Sequence, residues 1–186
     1  MAIWHGVGTH RAKKFVCGYC GQTVASEKGW ITEGNAPHSY VYVCPHCTAP
    51  TFFAPNGQVP GVVPGEEVGH LPEHVKALYR EARQCVAVNS CTASVLASRK
   101  LLMHIAVAQG AKAGETFMAY VEYLAANGFV PPNGKGWVDH IRKKGNEANH
   151  EISLMTPADA DELIAFSEML LKFIYEFPNR VPKGGP

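Results

Sequence analysis

The chain has 186 residues, 46% of them hydrophobic and 18% charged, with a formal net charge of +1. That balance describes a globular chain and excludes bulk attraction to polyanions, so any basic surface must be local. No stretch approaches the ~18 uninterrupted apolar residues of a membrane span, and the start MAIWHGVGTHRAKK lacks the apolar run of a signal peptide, which points to a cytoplasmic protein without a membrane partner.

Up to about residue 70, short alternating runs such as KKFVCGYC and SYVYVCPHC are broken by Gly, Pro and Asn. This pattern predicts small strands and tight turns. Cys17 and Cys20 form C-G-Y-C, Cys44 and Cys47 form C-P-H-C, and the 23 residues between the pairs suffice for two short strands. Paired CxxC spacing in a cytoplasmic chain indicates metal rather than disulfides. Each pair sets two thiolates on one knuckle, where backbone N–H groups also donate to sulfur, and two knuckles complete a tetrahedral S₄ shell. Zinc is favoured over iron because nothing else in the chain suggests electron transfer. A closed shell has no position for water, so the ion is structural and supplies folding energy to a module too small for its own core. His38 and His46 are substitute ligands by residue type, but four cysteines already fill the shell.

Arg11, Lys13, Lys14, Tyr19, Trp30, Tyr40 and Tyr42 lie within or beside this module and mix positive charge with stacking surfaces, as nucleic-acid contact requires. The plainer alternative is that the aromatic residues pack the sheet against its neighbour. Next comes APNGQVPGVVPGEEVGHLP, a Pro/Gly-rich linker laid across a surface.

Helical periodicity begins near Pro72 and places Val75, Leu78, Tyr79, Ala82, Cys85 and Val86 on one face, ending near Asn89. A second helix, from about Ser90 to Gln109 and stopped by Gly110, is apolar almost all round and belongs at the bundle centre. Arg99 interrupts it, and its charge must reach the surface or find a partner, a phosphate being one candidate. Glu115–Asn127 forms a third helix closed by Gly128, and a fourth begins near Trp137. A fifth starts at the N-cap Thr156 with Pro157 at N1 and runs to about Phe177. The fold class is therefore α+β, mainly α. A small β zinc ribbon over 1–54 precedes a linker over 55–71, a four- to five-helix bundle over 72–178 and a tail over 179–186.

On the fourth helix Val138, Ile141, Gly145, Ala148 and Ile152 make one apolar stripe. Gly145 costs roughly 1 kcal/mol relative to alanine, and close approach of another helix is the packing reason for it. Arg142, Asn146 and His150 form a second row at the groove edge. There Arg142 suits bidentate phosphate contact and His150 suits general acid–base work. The structural alternative is that Asn146 and His150 cross-link helices while Arg142 pairs with Glu147 or Glu151.

CPHC, the Pro/Gly-rich connection, LPEHVKALYREARQC, ASVLASRKLL and IRKKGNEANHE occur in that order. Over roughly residues 40–175 this succession resembles the bacterial family called domain of unknown function 4145, itself similar to the HEPN superfamily of helical domains. The resemblance implies a HEPN-like bundle, a homodimer and a place in phage defence, with metal-independent ribonuclease activity through Arg142, Asn146 and His150. Arg99, Lys143 and Lys144 are candidate phosphate contacts, and RNA or a protein is the expected partner. The HEPN pattern usually has four to six residues between Arg and His, whereas seven separate Arg142 from His150 and Gly145 takes the usual arginine's place. Met103 stands where the resemblance leads one to expect an acidic residue. The competing reading is a non-catalytic adaptor.

Overall fold

A computed structural model gives the fold and describes residues 3–34, 37–131, 134, 136–141 and 154–180. The chain divides into two compact units. One runs to Val63 and includes Ala87–Asn89; the other takes Pro64–Val86 and the chain from Ser90 onward. The division falls within the Pro/Gly-rich connection.

The first unit is a five-stranded antiparallel meander: β1 (Gly8–Val16), β2 (Thr23–Ile31), β3 (Tyr40–Val43), β4 (Pro50–Ala54) and β5 (Gly57–Val59), in that spatial order. Period-two alternation turns Phe15, Tyr42, Thr51 and Phe53 to one buried face. The rings of Phe15 and Phe53 meet edge to face at 5.0 Å, and Tyr42 closes on Phe53 at 5.8 Å. Gly29 in β2 pairs with Tyr42 and has to be glycine, because a Cβ there would lie 1.8 Å from the Val41 carbonyl oxygen. β1 slips in register against β2 between Thr9 and Lys13, a bulge that lets Arg11 leave the ladder.

The second unit contains α1 (Glu73–Ala87), α2 (Cys91–Ala108), α3 (Phe117–Ala126), helical residues 136–141 and α4 (Pro157–Leu171). A π-helical stretch, Lys172–Glu176, and an α-turn, Phe177–Arg180, continue α4. Thr116 caps α3 by accepting the Ala119 N–H, and Thr156 forms a capping box with Asp159 at the start of α4. Gly110 and Gly128 end α2 and α3 in left-handed conformations.

α2 packs against α3 and α4, with Val95, Leu101, Leu102 and Ile105 wholly buried. Among the described residues it is the one helix long and apolar enough to cross a membrane. Its place in the core accounts for that apolarity. Val138 and Ile141 of the expected fourth-helix stripe are buried in this core; Gly145, Ala148 and Ile152 lie outside the described residues.

The helical unit begins with a strap, residues 64–69, held by polar groups of its own helices. Arg83, 6% exposed, donates through Nε to the Pro64 carbonyl at 2.7 Å and through Nη2 to the Gly65 carbonyl at 2.8 Å, and its Nη1 pairs with Glu67 at 2.7 Å. Tyr79 Oη donates to the Glu66 carbonyl, and Glu168 accepts the Glu66 N–H. Lys172 bridges Glu66 and Glu168 at 2.6 Å each, and Glu176 accepts the Gly69 N–H at 2.9 Å. Val68 is buried within the helical core.

Lys172 holds the Glu66 carboxyl below its ordinary range, and the Gly69 N–H does the same for Glu176. Both groups bind protons more readily unfolded than folded. Their stabilising contribution is therefore full above the ordinary carboxylate pKa of ~4.3 and is lost as pH falls through the depressed folded values. Amide-exchange protection factors at Glu66 and Gly69 should drop on acidification below about pH 4 while those of the α2 core stay unchanged; a strap whose protection is flat across that range would contradict this assignment.

Candidate metal centre

Both CxxC pairs are turns of hairpins. β1 ends at Val16 and Cys17 follows; β3 ends at Val43 and Cys44 follows. β1 and β3 flank β2 and run in the same direction, so both knuckles emerge at one end of the sheet.

The knuckles share one backbone pattern. The Cys17 N–H donates to the Gln22 carbonyl and the Gly21 N–H to the Cys17 carbonyl; likewise the Cys44 N–H donates to Ala49 and the Thr48 N–H to Cys44. Gly21 (φ 71°) and Thr48 (φ 61°) occupy equivalent left-handed positions. A β-branched residue is rare there, so the second knuckle has accepted backbone strain to keep the turn. Gly18 lies against the chain after β5: a Cβ would stand 2.3 Å from the Gly61 carbonyl oxygen.

The four sulfurs lie within 4.8 Å of one another, with Cys17–Cys47 at 3.7 Å and Cys20–Cys44 at 3.9 Å. A regular tetrahedron with metal–sulfur bonds near 2.3 Å has edges of about 3.8 Å. A disulfide would need about 2.05 Å. The donor set and spacing thus fit a four-coordinate thiolate site, and all four cysteines are free thiols. Cys17 and Cys44 are wholly buried. Burial pushes the Cys20 and Cys47 thiols up, Cys47 to about 12. At Cys44 burial acts in the same direction, but the N–H groups of Cys47 and His46, with the neighbouring thiols, outweigh it and hold the thiol below its ordinary value. Four thiolates at such separations repel one another unless a cation is shared between them. His46 is exposed, and His38 is bonded at 3.2 Å to the Thr32 carbonyl; neither belongs to the cluster.

A second feature sits on the aromatic face of the same sheet. Arg11, Ala12, Lys13, Lys14, Tyr40 and Tyr42 line a shallow recess of about 370 Å³. Tyr40 and Tyr42 stack with 13° between ring planes and 5.6 Å between centroids. Tyr42 Oη reaches over β2 to donate to the Arg11 carbonyl at 2.7 Å, and burial pushes its phenol pKa up. Lys13 Nζ lies 4.7 Å from the centre of the Phe53 ring. No acidic side chain among the described residues forms an ion pair with Arg11, Lys13 or Lys14. Trp30 is instead in edge contact with Trp4, and Tyr19 is exposed beside the first knuckle.

In the helical unit, Arg99 is buried with its guanidinium 4.4 Å from the Phe117 ring centre. Its Nη1, and the hydroxyls of Ser94 and Ser98 on the same helix, have no hydrogen-bond partner among the described residues. Desolvation pulls the Arg99 pKa down. Arg142, Lys143, Lys144, Asn146 and His150 lie outside the described residues. Sequence reasoning missed Arg83, which reads as one more exposed helix charge; only its position one turn after Tyr79 on α1, with its guanidinium over the Tyr79 ring, offered a signal.

Replacing Cys17 by Ser should abolish stoichiometric metal binding and melt the sheet unit, because structural Cys₄ zinc sites contribute about 10–16 kcal/mol of apparent binding energy. Metal analysis together with ¹H–¹⁵N spectra checks this: amide signals of β1–β5 should collapse while those of α1–α4 persist. Retention of the sheet signals without bound metal would refute it.

The family model described as Domain of unknown function (DUF4145) matches residues 80–183, more than half of the chain. No curated protein and no solved structure matches the chain.

Proposed function

The chain belongs to the domain of unknown function 4145 family, and from that premise we propose a zinc-binding protein with a HEPN-like helical domain that binds single-stranded RNA. The observation that carries this reading is the recess on the sheet: three cations without acidic partners among the described residues, beside two stacked tyrosines. Cations neutralise phosphates without regard to sequence, and the half-buried Tyr40 ring, backed by the buried Tyr42, offers the surface on which an unstacked base can stack. Structural zinc at Cys17, Cys20, Cys44 and Cys47 holds β1 and β3 in the register that brings those groups together.

Ribonuclease activity extends the same reading to the helical domain. His150 acts as general acid or base, Arg142 and Asn146 hold and orient the scissile phosphate, and Lys143, Lys144 and Arg99 add positive charge. Its place is a defence complex in which the protein works as a homodimer. A non-catalytic adaptor is the second reading, supported by an exposed apolar surface of Met169, Phe173 and Phe177, the two phenylalanines 47% and 42% exposed.

Fluorescence anisotropy with a single-stranded RNA tests the recess. Substituting Arg11, Lys13 and Lys14 together by Glu should weaken binding more than tenfold and reduce the salt slope by about 2, since each lost phosphate contact removes about 0.7. Tyr40→Ala should cost about 1–3 kcal/mol. Affinity unchanged in both variants would remove the RNA reading. Cleavage is tested separately, with magnesium withheld: wild type should cut and His150→Ala should not, and a wild type inert on several RNAs leaves the adaptor.

A further inference from the structure

We propose that His74 and His104 form a second metal site, an open two-imidazole chelate for a divalent transition ion such as nickel, copper or zinc. His74 lies at the start of α1 and His104 near the end of α2, and both side chains are exposed. Their Nε2 atoms are 3.1 Å apart and their ring centroids 5.0 Å apart.

Two imidazoles bound to one ion at metal–nitrogen distances near 2.0–2.1 Å have their nitrogens roughly 2.8–3.4 Å apart, from a right-angled to a tetrahedral arrangement. The observed separation falls in that window without any movement of the backbone. In the absence of an ion, such an approach requires one ring to donate an N–H to the lone pair of the other. An ion takes the place of that shared proton. Each ring then carries its proton on Nδ1, both Nε2 lone pairs face the metal, and no proton is lost overall.

The chemistry differs from that of the cysteine cluster. Neutral imidazole favours copper, nickel and zinc over harder ions. Two protein ligands leave several coordination positions for water or for an exogenous ligand, whereas four thiolates leave none. Binding here ties the start of α1 to the end of α2 and stabilises the helical unit by mass action. The proposal does not depend on RNA binding or on the contents of the cysteine site.

The test is calorimetric titration of nickel chloride into zinc-loaded full-length protein, with thermal melting alongside. Wild type should bind one nickel per chain and melt at a higher temperature with nickel than without. His74→Ala and His104→Ala should each weaken nickel binding at least tenfold and lose the shift in melting temperature. His140→Ala should behave as wild type, because His140 is paired with Glu162 at 2.7 Å elsewhere on the bundle. His104→Asn, which keeps a polar side chain of similar size, guards against a folding defect: it should melt like wild type without nickel and still fail to bind. Absence of saturable binding in wild type, full binding by either pair variant, or equal loss in His140→Ala would each overturn the proposal.

Discussion

The N-terminal sheet depends on the convergence of four thiolates. Its strands are three to nine residues long, and its buried hydrophobic cluster consists of Phe15, Tyr42 and Phe53 together with the cysteines themselves. Such a core buries too little apolar surface to offset chain entropy. A cation shared by the four sulfurs would supply what is missing by joining the β1–β2 turn to the β3–β4 turn. The same sheet carries the bulge that frees Arg11 and the stacking of Tyr40 on Tyr42.

The helical unit is held differently. Its centre is apolar and close-packed around α2, while its entry segment is secured by polar groups. Arg83 satisfies two carbonyls of the strap and one carboxylate, and Glu168, Lys172 and Glu176 satisfy the rest. Removing such a buried guanidinium would orphan several acceptors at once. Arg99 is the contrast: a buried cation over the Phe117 ring with Nη1 unpartnered among the described residues. Burial of a cation in that state is costly, which is why Arg99 enters the proposed phosphate-binding set.

Much of this organisation is legible in the sequence because it rests on local chemistry. CxxC spacing announces a knuckle, alternation announces a strand, and Thr-Pro followed by acidic residues announces the capped start of α4. The helices therefore fall near their expected bounds, with α2 at Cys91–Ala108 inside the expected 90–109. What the sequence hides is partner choice across long separations. Nothing local marks Glu168 as the acceptor of an N–H 102 residues earlier, or Arg83 as the anchor of the strap, because a charged residue on an amphipathic helix ordinarily faces water. Thr48 is a subtler case: its left-handed backbone is dictated by the knuckle, against its own preference. The His74–His104 pair is hidden for the same reason as the strap, since two surface histidines 30 positions apart carry no local pattern.

The central claim is that Cys17, Cys20, Cys44 and Cys47 together bind one zinc ion, and X-ray absorption at the zinc edge of the purified full-length protein measures this directly. The account predicts one equivalent of zinc whose first shell is four sulfurs at about 2.3 Å. A shell containing nitrogen or oxygen in place of sulfur, or a folded sheet with no bound metal, would contradict it.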